Sequence, residues 1–258
     1  MSSELTWPRL ISMLLDGDDL AISEASWAMR QVMQGDATPA QLAGFLVALR
    51  AKGETGITFA FAALFHPGFR FAGPTRKDLG IPTVFNFLGP LCNPARCEAN
   101  AVGVAHLDKV PLIVGVFRTR GATALVFRGD DGLDELTTTG HSHIWEVSRG
   151  SVTEHDLDPL ELGIPRADIA DLLGGDADLN ASIARAVLAG QTGPVRNIVV
   201  LNAAAGLVAF DLAKDPAQLQ VPILDRFRAK IAVAEETIDS GAAIAKLDEW
   251  VAATNAVA

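Results

Sequence analysis

Cysteine is nearly missing from this chain: only Cys92 and Cys97 occur among 258 residues. Their spacing lacks the second cysteine or histidine pair that a zinc site needs, so reduced, buried thiols are expected. Long apolar runs are missing too. No uninterrupted stretch reaches the length of a bilayer, and Met1-Ser2-Ser3-Glu4 has neither a basic start nor an apolar signal core. The expectation is a cytoplasmic protein with no membrane partner. Positive charge is scarce, with 21 Lys and Arg against 31 Asp and Glu and a formal net charge of -10. That balance disfavours nonspecific binding to nucleic acid or anionic membrane, because both reward clustered cations. An anionic small substrate is still admissible, provided that a metal ion, an arginine or oriented backbone amides meet it locally. Internal repeats and low-complexity tracts are also lacking. What remains is an ordinary globular mixture, 49% hydrophobic and 20% charged, long enough for one large domain or two unequal ones.

The first part reads as helices: Trp7 to Leu15, Ile22 to Met33, and a third from Thr38-Pro39. Thr38 suits an N-cap, with Pro39 at the first helical position and Gln41 three residues on. Leu42, Phe45, Leu46 and Leu49 then share one face. The character changes near Gly53-Glu54-Thr55-Gly56, where strand-like Ile57 to Phe61 begins. Beyond it, strand signals at Val84-Phe85, Ala101 to Val104, Ala124 to Phe127 and Ile144 to Val147 alternate with helical ones at Val110 to Arg118 and Ser182 to Leu188. Val195 to Phe210 and Ala242 to Ala253 read as further helices. This order predicts an α/β fold: a small helical domain over 1–55 and a larger α/β domain over 56–258 with a mostly parallel sheet.

Several positions could carry chemistry. Asp134 and Glu135 follow the strand-like Ala124 to Phe127 through the turn formers Asp131-Gly132. Adjacent carboxylates near a core need solvent or a cation to compensate them, and Mg²⁺ accepts a few carboxylate oxygens alongside water and substrate phosphate. Spacing alone reads equally as a solvated acidic turn, and the EF-hand ligand ladder does not fit. His66, before Pro67, reads by itself as a loop histidine, and Arg76 as a solvated helix residue. Gly174-Gly175-Asp176 lacks the preceding strand of a phosphate loop and reads as a helix-opening turn. His141 and His143 would share one strand face, with no third ligand indicated for a metal.

Three stretches taken together are more specific: Phe65-His66-Pro67, then Asn86-Phe87-Leu88-Gly89-Pro90-Leu91-Cys92-Asn93-Pro94, then Gly129-Asp130-Asp131-Gly132-Leu133-Asp134-Glu135-Leu136-Thr137. In order and spacing they resemble the anthranilate phosphoribosyltransferases, from the N-terminal helices to the end of the chain. Cys92 stands where that family commonly has Thr. The resemblance implies a nucleoside phosphorylase/phosphoribosyltransferase-like fold, transfer of a phosphoribosyl group from phosphoribosyl diphosphate to anthranilate in tryptophan biosynthesis, and a homodimer through the helical domain. It implies Mg²⁺ at Asp134 and Glu135, the anthranilate carboxylate at Arg76, and His66 along the aromatic-substrate path. No residue is assigned as a catalytic base. An aromatic amine is largely neutral near pH 7, so positioning and charge stabilisation would carry the reaction.

One break interrupts the resemblance. After Arg50-Ala51-Lys52-Gly53-Glu54-Thr55, on the order of a hundred residues expected in the family are absent. With them go the Gly-Thr-Gly-Gly-Asp diphosphate loop, the Asn-x-Ser-Thr segment and the Lys-His-Gly-Asn-Arg segment. That loss keeps one alternative in view, a catalytically inactive binding or scaffold relative of the same fold; a second is a pyrimidine nucleoside phosphorylase-like enzyme, a related architecture that shares part of the Asn86 to Pro94 signature.

Overall fold

The computed structural model describes Thr6, Trp27, Leu91 and residues 97–255. The chain divides into two compact units, and the one running through Ile244 holds nearly all of the described residues. Trp27 is helical, as expected; the rest of the first three helices, the strand signals at Ile57 to Phe61 and Val84-Phe85, and both His66 and Arg76 lie outside the described residues.

Among the described residues the unit has four strands: β1 (Ala99–Gly103), β2 (Thr123–Gly129), β3 (Ser142–Ser148) and β4 (Ser151–Leu157), in the spatial order β1-β2-β3-β4. Helix α1 (Val110–Arg120) links β1 to β2, so these two strands pair parallel, with Val102 beside Val126. Pro111 sits in the first turn of α1, and Gly121 ends the helix in the left-handed conformation at φ 65°. Val110, Ile113, Val114 and Phe117 recur at helical spacing and bury against Val102, Ala124, Val126 and Val147 on one face of the sheet.

From β2 onward the pairing reverses. The connection from Asp130 to His141 contains no helix, and β3 returns antiparallel to β2 with Phe127 beside Ile144. A two-residue turn, Arg149-Gly150, with φ 49° and 79°, then folds β4 back on β3. Positive φ at both central positions matches the twist of the flanking strands, which is why such turns close hairpins. The expectation of a mostly parallel sheet is therefore corrected: the sheet is mixed, with one parallel and two antiparallel pairings. Strand β4 was not foreseen because Ser-Val-Thr-Glu-His-Asp-Leu is a polar, largely exposed edge with little apolar alternation.

The second face is covered by α3 (Pro194–Lys214) and α4 (Ile223–Asp239). Leu125, Phe127, Ile144 and Leu157 of the sheet meet Leu201, Ala204, Ala205, Val208 and Ala209 of α3 and Phe227, Ile231 and Ala234 of α4. The alanines let α3 approach closely. Its length and apolarity alone would suit a membrane span, but this buried stripe marks a core helix. Strand β2 is consequently buried on both faces, which accounts for its nearly unbroken apolar run.

Helix α2 (Ala177–Leu188) starts earlier than Ser182 because the Asp176 carboxylate accepts from the Leu179 N–H at 2.9 Å. The Asn180 side chain holds both the N–H and the C=O of Gly175 at 2.9 Å, and a Cβ on Gly174 would fall 2.3 Å from Asn180 Oδ1. The double glycine thus makes a helix-opening turn, as its sequence context suggests. Helix α5 (Ala242–Asn255) follows Gly241, whose φ of 78° breaks the run from α4. Cys97 is exposed, against the expectation of a buried thiol.

Candidate active site

The carboxylates singled out from the sequence ride on the β2–β3 connection. Its base is closed by the Asp130 N–H donating to the His141 C=O at 2.9 Å, and its first turn by the Gly132 N–H donating to the Gly129 C=O at 3.0 Å. Gly132 takes φ 93°, a value that L side chains rarely tolerate. Asp131 then organises the rest. One carboxylate oxygen accepts from the Leu133 N–H at 3.0 Å, and the other accepts from the Thr137 and Thr139 hydroxyls at 2.5 and 2.6 Å. Burial pulls the Asp131 pKa upward, but these hydrogen bonds outweigh it and hold the group below the usual carboxylate range.

Leu136 is the hydrophobic nail of the loop. It is fully buried in the core beneath α3, and its backbone is clasped by a single side chain from that helix. Asn202 Oδ1 accepts from the Leu136 N–H at 2.9 Å, while Asn202 Nδ2 donates to the Leu136 C=O at 2.8 Å and to the Ile198 C=O at 3.0 Å. The next residue, Thr137, donates its N–H to the Ser142 hydroxyl at 2.9 Å. On the other side the loop backbone presses on β1: a Cβ on Gly103 would lie 1.5 Å from the Asp134 carbonyl oxygen.

Between these anchors Asp134 and Glu135 stand exposed on the rim. Among the described residues, no hydrogen bond or ion pair engages either carboxylate. Partial burial pushes the Glu135 pKa up, and the neighbouring charges of Asp134 and Asp131 push it further. A cation at this position would relieve that repulsion. No cluster of three or more metal-ligating side chains occurs among the described residues. Two hard carboxylates at an open rim still fit Mg²⁺, which completes its shell with water and substrate phosphate.

Other expected features fall elsewhere. Leu91 from the Asn86 to Pro94 signature is buried against α1, and the Arg120 guanidinium donates to its carbonyl at 2.6 Å. That is a packing role. His143 bridges Asp156 and Glu154 at 2.7 and 2.9 Å, whereas His141 faces Asp158 at 3.5 Å. The two histidines do not converge. Asp131 was read only as a turn former, and its bonds to Thr137 and Thr139 were missed, as were Asn202 and Gly103; the one visible signal was Asn202, a polar residue inside the apolar Val195 to Phe210 pattern.

Comparison with known proteins decides the family. The chain matches the helical bundle domain of a glycosyl transferase family over residues 8–63 and its a/b domain over residues 48–244. An anthranilate phosphoribosyltransferase from Leifsonia xyli is 52% identical, in an alignment covering 98% of this chain and 100% of that protein. The chain belongs to the anthranilate phosphoribosyltransferases. A solved member of this family, from Thermus thermophilus, superposes with a TM-score of 0.66 at 26% identity and covers 95% of this chain and 98% of that one. A Saccharomyces cerevisiae anthranilate phosphoribosyltransferase, solved with PRPP and Mg, superposes at 0.65 with 25% identity, over 77% of this chain and 53% of that one. The Leifsonia alignment runs through 348 positions, whereas this chain has 258 residues, so at least 90 positions are left without one. The two domain matches overlap across 48–63, the stretch that contains the Thr55–Gly56 junction.

Proposed function

We propose that this protein transfers the phosphoribosyl group of phosphoribosyl diphosphate to anthranilate in tryptophan biosynthesis, with Mg²⁺ at Asp134 and Glu135. The observation that carries this reading is an exposed carboxylate pair on an anchored loop, in a chain that belongs to the anthranilate phosphoribosyltransferases. Its relatives do not favour an inactive scaffold or a nucleoside phosphorylase. In the reaction the anthranilate nitrogen forms a bond to ribose C1 while the bond from C1 to the diphosphate oxygen breaks, and the amine releases a proton. Bound Mg²⁺ would supply charge neutralisation for the departing diphosphate. The protein's own part is to hold two carboxylates at fixed spacing and to orient the acceptor. Arg76 would take the anthranilate carboxylate through the planar fork of its guanidinium, and His66 would line the path by which the aromatic substrate enters. A homodimer in the cytoplasm, formed through the helical domain, completes the proposal.

Two measurements test the assignments. Changing both Asp134 and Glu135 to Ala should abolish Mg²⁺ binding, which is weak without substrate because two carboxylates cannot dehydrate this ion. Titration calorimetry showing the same divalent binding in the double variant would remove the metal from this loop. For the acceptor, Arg76→Lys keeps the charge and loses the fork, so anthranilate affinity should fall about tenfold or more. An unchanged dissociation constant would place Arg76 outside the site.

A further inference from the structure

The loop carrying Asp134 and Glu135 has no regular secondary structure, yet a metal site needs its ligands at defined positions. Besides the Asp131 network and the Ser142 hydroxyl on Thr137, two contacts from outside the loop flank the carboxylates themselves. Asn202, on the third turn of α3, meets both backbone groups of Leu136, the residue next to Glu135, and its amide N–H also bonds to the Ile198 carbonyl one turn earlier in its own helix. That last bond fixes which end of the amide is the donor. The side chain therefore offers an acceptor and a donor in the spacing of a strand partner, and it locks Leu136 to a helix whose buried side is packed into the core. From the opposite side, Gly103 on β1 leaves just enough room for the Asp134 carbonyl.

We infer that Asn202 is a positioning residue for the metal: its amide sets the height at which Asp134 and Glu135 are presented, against a backstop made by the bare Cα of Gly103. This rests on the reading that Asp134 and Glu135 hold the cation. Without the clasp, the Leu136 N–H and C=O must find water, and the carboxylates are tied to the helix only through the Leu136 side chain. Outer contacts of this kind typically change metal affinity by about 10–100-fold when removed.

The probe is Mn²⁺, followed by the relaxation of its bound water in the full 258-residue chain. Asn202→Ala should bind Mn²⁺ about tenfold or more weakly than the parent. Gly103→Ala, acting from a different strand, should weaken it similarly because its Cβ displaces the Asp134 carbonyl. Val208→Ala, in the core stripe of the same helix, serves as the control: it should lower the melting temperature and leave Mn²⁺ affinity unchanged. Circular dichroism at the assay temperature establishes that each variant is folded. Unchanged Mn²⁺ affinity in folded Asn202→Ala overturns the positioning role, as does an equal loss in Val208→Ala, which would make the effect one of general stability. Mn²⁺ binding that survives replacement of Asp134 and Glu135 by Ala overturns the metal assignment itself, a separate failure read in a separate variant.

Discussion

The purified 258-residue chain should transfer phosphoribosyl groups far more slowly than a full-length member of its family at the same donor concentration. By the resemblance, the stretch absent after Thr55 would carry the family's diphosphate loop and the segments that follow it. If three or four backbone or lysine donors to a charged diphosphate are lost, at about 1.5 to 3 kcal/mol each, donor affinity falls by roughly three decades or more. The formal charge of -10 works in the same direction, since the donor is a polyanion. Asp134 and Glu135 would still offer a cation a place, with little to hold the phosphates against it. A steady-state assay with Mg²⁺, anthranilate and phosphoribosyl diphosphate reads this as a greatly raised KM for the donor. Inserting the corresponding segment of a close relative between Thr55 and Gly56 should restore turnover. Ordinary turnover by the unaltered chain would mean that another set of donors grips the diphosphate, and the account of the deletion would fail.

Breaking the buried pair between Glu146 and Arg226 should cost about 3–5 kcal/mol of folding stability, because it leaves one charge uncompensated in the core. Glu146 of β3 and Arg226 of α4 are 1% and 5% exposed, and they meet through two bonds of 2.5 and 2.9 Å. His155 of β4 adds a third contact to Glu146 at 3.0 Å. One Arg226 N–H, at Nε, has no acceptor, so the pair is imperfectly satisfied even when intact. Glu146→Gln should show the full loss in urea denaturation near pH 7, whereas replacing both residues by Leu and Met should recover most of it. The pH dependence has a definite sign. Burial raises the Glu146 pKa, but the bonds from His155 and Arg226 outweigh burial and leave it below the ordinary glutamate value. A depressed folded pKa gives stability that is complete above the unfolded value, about 4.3, and is lost as pH falls through the lower folded value. The gap between the parent and Glu146→Gln should therefore close in acid. A gap that stays constant from pH 7 down to pH 3 would show that the charge of Glu146 contributes nothing.

Much of this unit was legible in the chain because its signals are local. Apolar runs marked β1, β2 and β3, helical spacing marked α1, and turn chemistry marked Gly174-Gly175-Asp176 as a helix start. The Asp134-Glu135 pair was legible for the same reason: the two residues are neighbours, and the turn that presents them is written in Asp131-Gly132. Helix α4 was passed over because its polar side dilutes the apolar stripe, and β4 because an edge strand buries little. Strand direction was misjudged because alternating strand and helix signals carry no information about a returning loop without a helix or about a two-residue hairpin turn.

What the amino-acid order determined by itself, then, was where the chain extends, where it coils and where adjacent carboxylates emerge, since each depends on residues a few positions apart. What only the tertiary structure decided was which distant groups meet: Asn202 with Leu136, 66 positions away, and Arg226 with Glu146, 80 positions away. Both join a buried or half-buried polar side chain to a group on a distant element. Burial makes such a partner obligatory, but its identity depends on how the helices dock on the sheet, which no short window of sequence encodes.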